Sequence, residues 1–348
     1  MTSLRWDLGT AYDFFVSQFV LHHATDFGLR PPWAAGVRQR LASPRREFLE
    51  QVWAFAAVPL VWIHGLPDPK DAATALRLAA DLAPAERLGT LTLAPDTPEE
   101  VRQVLRGIAA RRVWSPEQKE FLRTHLSRPG KEFMAAGLED MLKTWAAPKE
   151  SGELLLAALR EYQAVFFAEE EARLRPSLEQ GLERAQELAG RLSEHDLVEE
   201  LSHGVRFEGL ESVQELTLAP SFWSTPLIFQ IRPRPEEALI IFGARPELIS
   251  LAPGVGTPDL LVNALKSLAD PTRLRILRYL AGQPLTPTEL ARRLRLRPPT
   301  VIHHLRGLRL SGLVSVIVST DGERRYTARL ETLNDIYTDL QEFIKKTE

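Results

Sequence analysis

The stretch "LRPPTVIHHLRGLRLSGLV", residues 296–314, has the spacing of an amphipathic helix that starts at its two prolines. Proline is favoured in the first turn of a helix because its missing N–H has no partner to lose there. At about 100° per residue, Val301, Leu305 and Leu308 share one face. The stretch therefore predicts a helix that buries an apolar face and ends near Gly312.

The two adjacent histidines in this stretch could suggest a metal or catalytic site. Neighbouring residues on a helix point about 100° apart, so His303 and His304 cannot easily share a metal ion or act as an acid/base pair. His304 lies at the edge of the apolar face and is predicted to be a packed, hydrogen-bonded core residue. His303 lies with Arg306 on the opposite face. We predict that it lies at the surface, where it either contacts a partner or is simply solvated.

The flanking sequence predicts the elements around this helix. Asp270 and Thr286 are each followed by proline and are typical N-cap residues, and Thr286 forms a capping box with Glu289. Asp321-Gly322 separates two β-rich runs and predicts a hairpin with a two-residue turn. The predicted order is helix, helix, helix-turn-helix, β-hairpin and helix, which is a winged helix-turn-helix.

Three segments of this region, "LADPTRLRILRYL", "ELARRLRLRPPTVIHHLRGLRLSGLV" and "DGERRYTA", together resemble the ArsR/SmtB family of bacterial transcriptional regulators. The resemblance covers about residues 258–345. It implies a homodimer joined through the first and last helices of the region, and a recognition helix in the DNA major groove. It also implies release of DNA when an effector binds. The preceding sequence, above all "LAPSFWSTPLIF", is similar to an accessory region of some longer relatives.

The sequence departs from the usual family pattern at two kinds of position. The family commonly has Ser-Gln-x-x-x-Ser-His-His through the recognition helix, whereas this chain has Arg297-Pro298 and Ile302 at the replaced positions. Many relatives sense metals through cysteines in the preceding helix or through His, Asp or Glu on the last helix. Here "TPTELARR" and "LETLNDIYTDLQEF" contain neither Cys nor His, so the family's usual metal sensing is not expected, and no metal or cofactor is predicted.

The candidate DNA contacts lie on the recognition helix, the helix before it and the wing. Arg297 is a poor N-cap residue and is predicted to contact a phosphate or a guanine edge instead. Ile302 could contact only a thymine methyl group. Arginines on the wing would reach the backbone or the minor groove. The full predicted set is Arg292, Arg293, Arg297, Thr300, Ile302, His303, Arg306, Arg309, Arg324 and Arg325.

The candidate dimer contacts lie on the first and last helices of the same region. Both segments carry apolar residues at helical spacing. The predicted set is Leu260, Leu261, Leu265 and Leu268 on the first helix, and Leu333, Ile336, Tyr337, Leu340, Phe343 and Ile344 on the last.

The charge distribution supports contact with a polyanion. The chain has a net charge of −3, but residues 270–329 contain twelve arginines and four acids. This segment therefore carries a charge of +8, and the remainder of the chain carries −11. A basic module attached to an acidic body is typical of a protein that touches nucleic acid with one part only.

The rest of the chain predicts a mainly α fold with a small β component. Residues 1–190 show helical spacing, with a break or kink expected at Pro176. Within them, "TPEE" (97–100) and "SPEQ" (115–118) predict helix starts with capping boxes at Thr97 and Ser115. Three short β-rich runs follow at 213–221, 226–232 and 238–244. The predicted domains are 1–204, helical; 205–250, containing β-strands; 251–258, a linker; and 259–348, the winged helix-turn-helix.

The predicted helical domain, residues 1–204, is called the front domain here. Its sequence does not indicate a particular ligand or reaction. Residues 1–65 hold eleven of the 27 aromatic residues, which would suit either an apolar effector pocket or an aromatic-rich core. A metal site drawn from His22, His23, Asp26 and His64 is disfavoured because adjacent histidines diverge. The chain has no cysteine, no signal-peptide pattern and none of the common catalytic motifs. We therefore expect a cytoplasmic protein that is not an enzyme.

These observations predict a sequence-specific, double-stranded DNA-binding transcriptional regulator that is dimeric and responds to an effector as a repressor. The alternative is a constitutive or architectural DNA-binding protein whose front domain serves dimerisation or partner recruitment.

Overall fold

The structure, a computed structural model, describes residues 2–126, 135–246 and 258–345. The chain divides into two compact units. The first, called the helical unit below, comprises Leu8–Ala24 and Pro31–Arg175. The second, called the mixed unit, comprises Met1–Asp7, Thr25–Arg30 and Pro176–Glu348.

These units follow different boundaries from the predicted domains. The segment Thr25–Arg30 belongs to the mixed unit although the chain on either side of it belongs to the helical unit. The division into residues 1–204, 205–250, 251–258 and 259–348 stays a prediction. Residues 251–257 of the predicted linker lie outside the described residues.

The helical unit is built from α-helices, as the apolar spacing predicts. Tyr12, Phe14 and Phe15 of its first helix are buried, and Phe14 meets the Phe15 ring edge-to-face at 5.1 Å between ring centroids. These aromatic side chains therefore form part of a core. The helices are α1 Thr10–His22, α2 Pro31–Arg38, α3 Ser43–Trp53, α4 Leu60–His64, α5 Ala72–Asp81, α6 Pro84–Thr92, α7 Glu99–Arg111, α8 Pro116–Leu126, α9 Ala135–Ala146 and α10 Pro148–Tyr162.

A long helical run continues from the helical unit into the mixed unit. After α10 come a π-helical segment, Gln163–Phe167, and α11, Ala168–Ala189. The helix does not break at Pro176, because α11 runs through this proline, and the alternative of a kink there stays a prediction. None of the helices in the described ranges is long and apolar enough to cross a membrane.

A four-stranded sheet forms one part of the mixed unit. Its strands are β1 Ser3–Trp6, β3 Glu215–Ser221, β4 Phe229–Ile231 and β5 Glu237–Gly243, in the order β1-β3-β5-β4. β3 is parallel to both β1 and β5, and β4 is antiparallel to β5. The prediction of helices throughout residues 1–190 is wrong at β1. Four residues are too few for an alternating pattern to stand out, and the partner strand is distant in sequence.

The helices and strands of the winged helix-turn-helix follow the predicted order. Its helices are α13 Asp259–Leu268, α14 Pro271–Leu280, α15 Pro287–Leu294, α16 Pro298–Leu310 and α17 Thr332–Lys345, and its wing strands are β6 Val314–Val318 and β7 Arg324–Ala328. Asp270 accepts hydrogen bonds from the backbone N–H groups of Thr272 and Arg273, and Thr286 and Glu289 form the predicted capping box. Local side-chain capping therefore sets where α14 and α15 begin.

The wing differs from the prediction in two respects. Its turn is longer than two residues, because the Ser319 N–H donates to the Glu323 carbonyl and Asp321 accepts from the Glu323 N–H at 3.0 Å. It also has a third strand, β2, Val205–Phe207, which lies parallel to β6 and gives the order β2-β6-β7. β2 follows α12, Glu194–Leu201, and lies outside the predicted winged-helix range.

Gly204 allows β2 to approach the wing closely. It has φ of +94°, and its carbonyl accepts from the Val316 N–H at 2.7 Å. A Cβ atom at this position would lie 2.6 Å from Ser315 Oγ. Both the left-handed backbone and the close approach therefore favour glycine.

Candidate nucleic-acid interface

The recognition helix α16 has the two faces that its sequence predicts. Val301, Leu305 and Leu308 are buried in the core of the winged helix, whereas His303 and Arg306 are exposed. The arrangement leaves a polar, basic face of α16 open to solvent.

The remaining predicted contacts on this face are also accessible. Thr300 is exposed and Ile302 is half-buried. Arg297 caps α16 only by its backbone, because its side chain makes no capping hydrogen bond. The other exposed arginines of the predicted set are Arg292, Arg293, Arg297, Arg324 and Arg325.

One wing arginine is tied to neighbouring carboxylates. Arg325 Nη2 lies 2.9 Å from Glu323 Oε2, and its Nη1 lies 3.8 Å from Glu289 Oε2 on α15. These groups are exposed or nearly so, and exposed ion pairs of this kind are weak. The pairs hold Arg325 near the start of β7, close to the hairpin turn, and are too weak to prevent it from turning toward a phosphate.

Arg309 was predicted to contact DNA, and this prediction is wrong. It is only 8% exposed, and its guanidinium donates to the backbone carbonyl oxygens of Ser202 and His203. Burial and the nearby Arg329 charge lower the pKa of Arg309 to about 10. The helical spacing placed Arg309 near the basic face. Its side chain is long enough to turn inward to backbone carbonyls that no local sequence pattern could reveal. It is removed from the proposed DNA contacts.

His304 is packed as predicted, but the predicted hydrogen bond is wrong. Its Nδ1 lies 3.9 Å from Asp270 Oδ2, beyond hydrogen-bonding distance, and has no other partner among the described residues. Burial lowers the pKa of His304, while the Asp270 carboxylate acts in the opposite direction. The two histidines of α16 thus differ in environment, one half-buried and one exposed.

Arg306 has a partner that the sequence did not reveal. Its Nη1 donates to Asp26 Oδ1 at 2.6 Å, and Asp26 belongs to the short 3-10 helix Ala24–Phe27. The two residues are 280 positions apart in the chain, so no periodicity or spacing could have linked them. The side chains are 42% and 28% exposed, so the pair is accessible to water.

The predicted dimer residues fall into two groups. Leu261 and Ile336 are buried in the core of their own chain, so their assignment to a dimer surface is corrected. A set of partly buried residues packs against that core and comprises Leu268, Leu340 and Phe343. The exposed residues are Leu265, Leu333, Tyr337 and Ile344, joined by Leu330, which the prediction did not assign to the interface. The Leu260 side chain lies outside the described ones.

Of the residues considered for a metal site, the two adjacent histidines make contacts with the backbone of α1. His22 Nδ1 lies 2.7 Å from the Gln18 carbonyl oxygen, and His23 Nδ1 lies 2.9 Å from that of Phe19. Burial lowers the pKa of His22 to about 3. In residues 2–126, 135–246 and 258–345, no three His, Asp or Glu side chains are placed to hold a metal ion.

The elements from α13 to α17 define a winged helix-turn-helix, a class of DNA-binding domain. Residues 270–316 match the family model described as "Bacterial regulatory protein, arsR family". This span covers α14, α15, α16 and the start of β6. The C-terminal region of the chain therefore carries the helix-turn-helix of an arsR-family DNA-binding transcription regulator. No curated protein and no solved structure matches the chain.

Proposed function

We propose that this protein is a dimeric transcriptional repressor that binds an inverted-repeat operator and releases it when an effector binds. The observation that carries the proposal is the arsR-family match over α14–α16 together with the exposed basic face of α16. Thr300, His303 and Arg306 would face the major groove, and Arg324 and Arg325 would place the wing on the backbone. The proposed site of action is the cytoplasm.

The exposed apolar side chains of α13 and α17 support the dimer. Leu265 and Leu333 are each 39% exposed, and Tyr337 is 62% exposed. Exposed apolar groups on neighbouring helices are costly in water unless a partner covers them. A two-fold dimer would bring the same surface of two copies together.

The DNA part of the proposal is tested by selecting duplexes from a random library with the full chain. The expected result is an enriched inverted repeat whose half-sites lie about one helical turn, or a multiple of it, apart. Enrichment of a single half-site would contradict the dimeric mode of binding. A library that stays random would contradict sequence-specific binding.

The dimer is tested by sedimentation of the full chain and of the double variant Leu333→Glu/Tyr337→Glu. Two charges on a face that becomes buried would convert the dimer to monomer. The matched control is the double substitution Arg77→Glu/Arg123→Glu, which changes two exposed residues of α5 and α8. A parent chain that is already monomeric at micromolar concentration would contradict the proposal.

The alternative is a constitutive or architectural DNA-binding protein. It differs from an effector-responsive repressor in that no small molecule changes its affinity for operator. An effector that releases operator must bind the free protein more tightly than the DNA complex. A screen of metabolites, including apolar ones that would suit the aromatic-rich helical unit, should therefore find a compound that weakens operator binding. If none changes the affinity, the constitutive role is favoured.

A further inference from the structure

A cavity in the mixed unit lies outside the proposed DNA face. It has a volume of about 350 Å³, which falls at the lower end of small-molecule sites. Its walls come from α11, from the ends of α12 and β5, and from α13 and α17 of the winged helix. One ligand could therefore touch both the front part of the mixed unit and the helices that carry the proposed dimer surface.

Three arginines from three separate parts of the chain line this cavity: Arg184 on α11, Arg245 after β5, and Arg329 between β7 and α17. His203, which also lines the cavity, reports their combined field. Burial and the charges of Arg309, Arg329, Arg184 and Arg245 lower the pKa of His203 to about 4. The four guanidinium charges therefore add to the larger effect of burial on this imidazole.

Arg245 is held in a fixed orientation. It is 6% exposed, its Nη2 donates to the Thr225 carbonyl at 3.2 Å, and its guanidinium lies 5.9 Å from the centre of the Phe222 ring. Its backbone N–H donates to Thr225 Oγ1 at 3.0 Å. A buried arginine that is already oriented loses little side-chain entropy when it binds an anion.

Arg184 contributes a second guanidinium from the surface of α11. Its side chain is exposed, and among the described residues no carboxylate lies within ion-pair distance of it. Arg329 is half-buried and lies 3.3 Å from Glu331, a residue that is itself mostly exposed. An entering anion would therefore compete with only a weak surface pair for these two arginines.

The cavity is also lined by acidic residues on two other elements: Glu200 near the end of α12, and Asp335 and Asp339 on α17. Asp335 and Asp339 are one turn apart on α17, and burial raises the pKa of Asp339, with further contributions from Glu342 and Asp335. A large polyanion filling the whole cavity would meet these carboxylates, so a small anion suits the three arginines better.

We infer that this cavity binds a small organic anion, through a carboxylate or phosphate group placed among Arg184, Arg245 and Arg329. Guanidinium groups bind both of these oxyanions through paired N–H donors. The cavity is also lined by Leu261 and Ile336, which belong to the first and last helices of the winged helix. Occupancy would thus act on the proposed dimer helices. This makes the anion a candidate effector, a role that rests on the proposed function.

The experiment measures binding of inorganic phosphate and of citrate to the full chain by calorimetry, at constant ionic strength maintained with NaCl. The test variant is Arg184→Gln, because this residue is exposed and glutamine has a similar helix propensity. Loss of one guanidinium is expected to weaken binding about tenfold. The controls are Arg77→Gln, an exposed arginine on α5, and Arg306→Gln on the DNA face, both of which should bind like the parent.

Two results would overturn the inference. One is an absence of binding for both anions in the parent chain. The other is equal binding by the parent and Arg184→Gln, which would place the anions elsewhere. Stronger binding of citrate than phosphate, or the reverse, identifies whether the natural ligand is a carboxylate or a phosphate compound.

A second measurement separates the cavity from the proposed function. Binding of the selected operator is measured with and without the tighter anion, again at constant ionic strength. Weaker operator binding in the parent, with no change in Arg184→Gln, supports the effector role. If the anion binds through Arg184 but the chain binds no duplex, the cavity inference stands and the DNA-binding proposal fails.

Discussion

The two sides of α16 use the same residue type for opposite purposes. Arg306 on the outer side is accessible and forms an ion pair with the Asp26 carboxylate. Arg309, less than one turn further along, is buried and donates to two backbone carbonyls. The number of arginines alone therefore does not define a DNA-binding face. The length of the side chain and the acceptors within its reach decide which arginines remain available to a phosphate.

The largest expected effect is on the inner side. Arg309→Met should lower the free energy of unfolding by about 2–3 kcal/mol, because the Ser202 and His203 carbonyl oxygens lose a charged donor. Urea denaturation of the full chain measures this change. Arg306→Met, the matched substitution on the outer side, should change stability by only about 0.5 kcal/mol. Equal destabilisation by the two variants would remove the distinction between the sides.

The next effect is on DNA binding by the outer side. Arg306→Gln should weaken operator binding about tenfold, and loss of one phosphate contact would reduce the slope of log affinity against log salt by about 0.9. Fluorescence anisotropy across a salt series checks both quantities, with Arg77→Gln as the control. A lower affinity at unchanged slope would indicate that Arg306 contacts a base rather than a phosphate. Parent-like binding to operator and to random DNA would show that this face is misassigned.

A smaller effect is expected on how the free energy of unfolding depends on acid pH. It arises from His203, whose carbonyl oxygen accepts from Arg309 on the inner side of α16. His203 has a folded pKa of about 4, below its unfolded value of 6.5. The unfolded state therefore binds a proton first, and stability falls as the pH falls from about 6.5 to about 4. His203 has φ of +52°, a conformation that asparagine tolerates, so His203→Asn should flatten this pH dependence without straining the backbone. Denaturation midpoints at several pH values test it, and an unchanged slope would contradict it.

The smallest effect should come from the carboxylate that pairs with the outer arginine. Asp26→Asn frees Arg306 for DNA and should strengthen operator binding by about two- to fivefold, the range expected for an exposed ion pair. The same substitution in an Arg306→Gln background should have no such effect. If both backgrounds respond equally, the change comes from overall charge and the specific pair is irrelevant.

The sequence was most informative where contacts are local. The capping box of Thr286 and Glu289 formed as predicted, and so did the reciprocal bonds between Ser115 and Gln118 at the start of α8. Each involves side chains three residues apart, which sequence spacing reports directly. The same pattern was wrong at Thr97, where α7 begins at Glu99 without a side-chain cap.

The sequence was least informative where distant segments meet. The pairing of β1 with β3, the ion pair of Asp26 with Arg306 and the burial of Arg309 all join residues more than 100 positions apart. The apolar stripe of α17 was misjudged for a related reason. Its residues at spacings of three and four wrap more than one face, so Ile336 turns into the core while Tyr337 faces solvent. Periodicity shows that a helix is amphipathic but not which neighbour covers each part of it.

The third strand of the wing affects how this protein can be divided. β6 has β7 on one side and β2 on the other, and β2 is encoded more than fifty residues before the first helix of the winged helix. A fragment that begins at residue 259 would leave one side of β6 with unpaired backbone groups, an arrangement that invites edge-to-edge association. The winged helix-turn-helix from residue 259 onward is therefore not structurally complete without β2. A truncation meant to isolate it should retain Val205–Phe207.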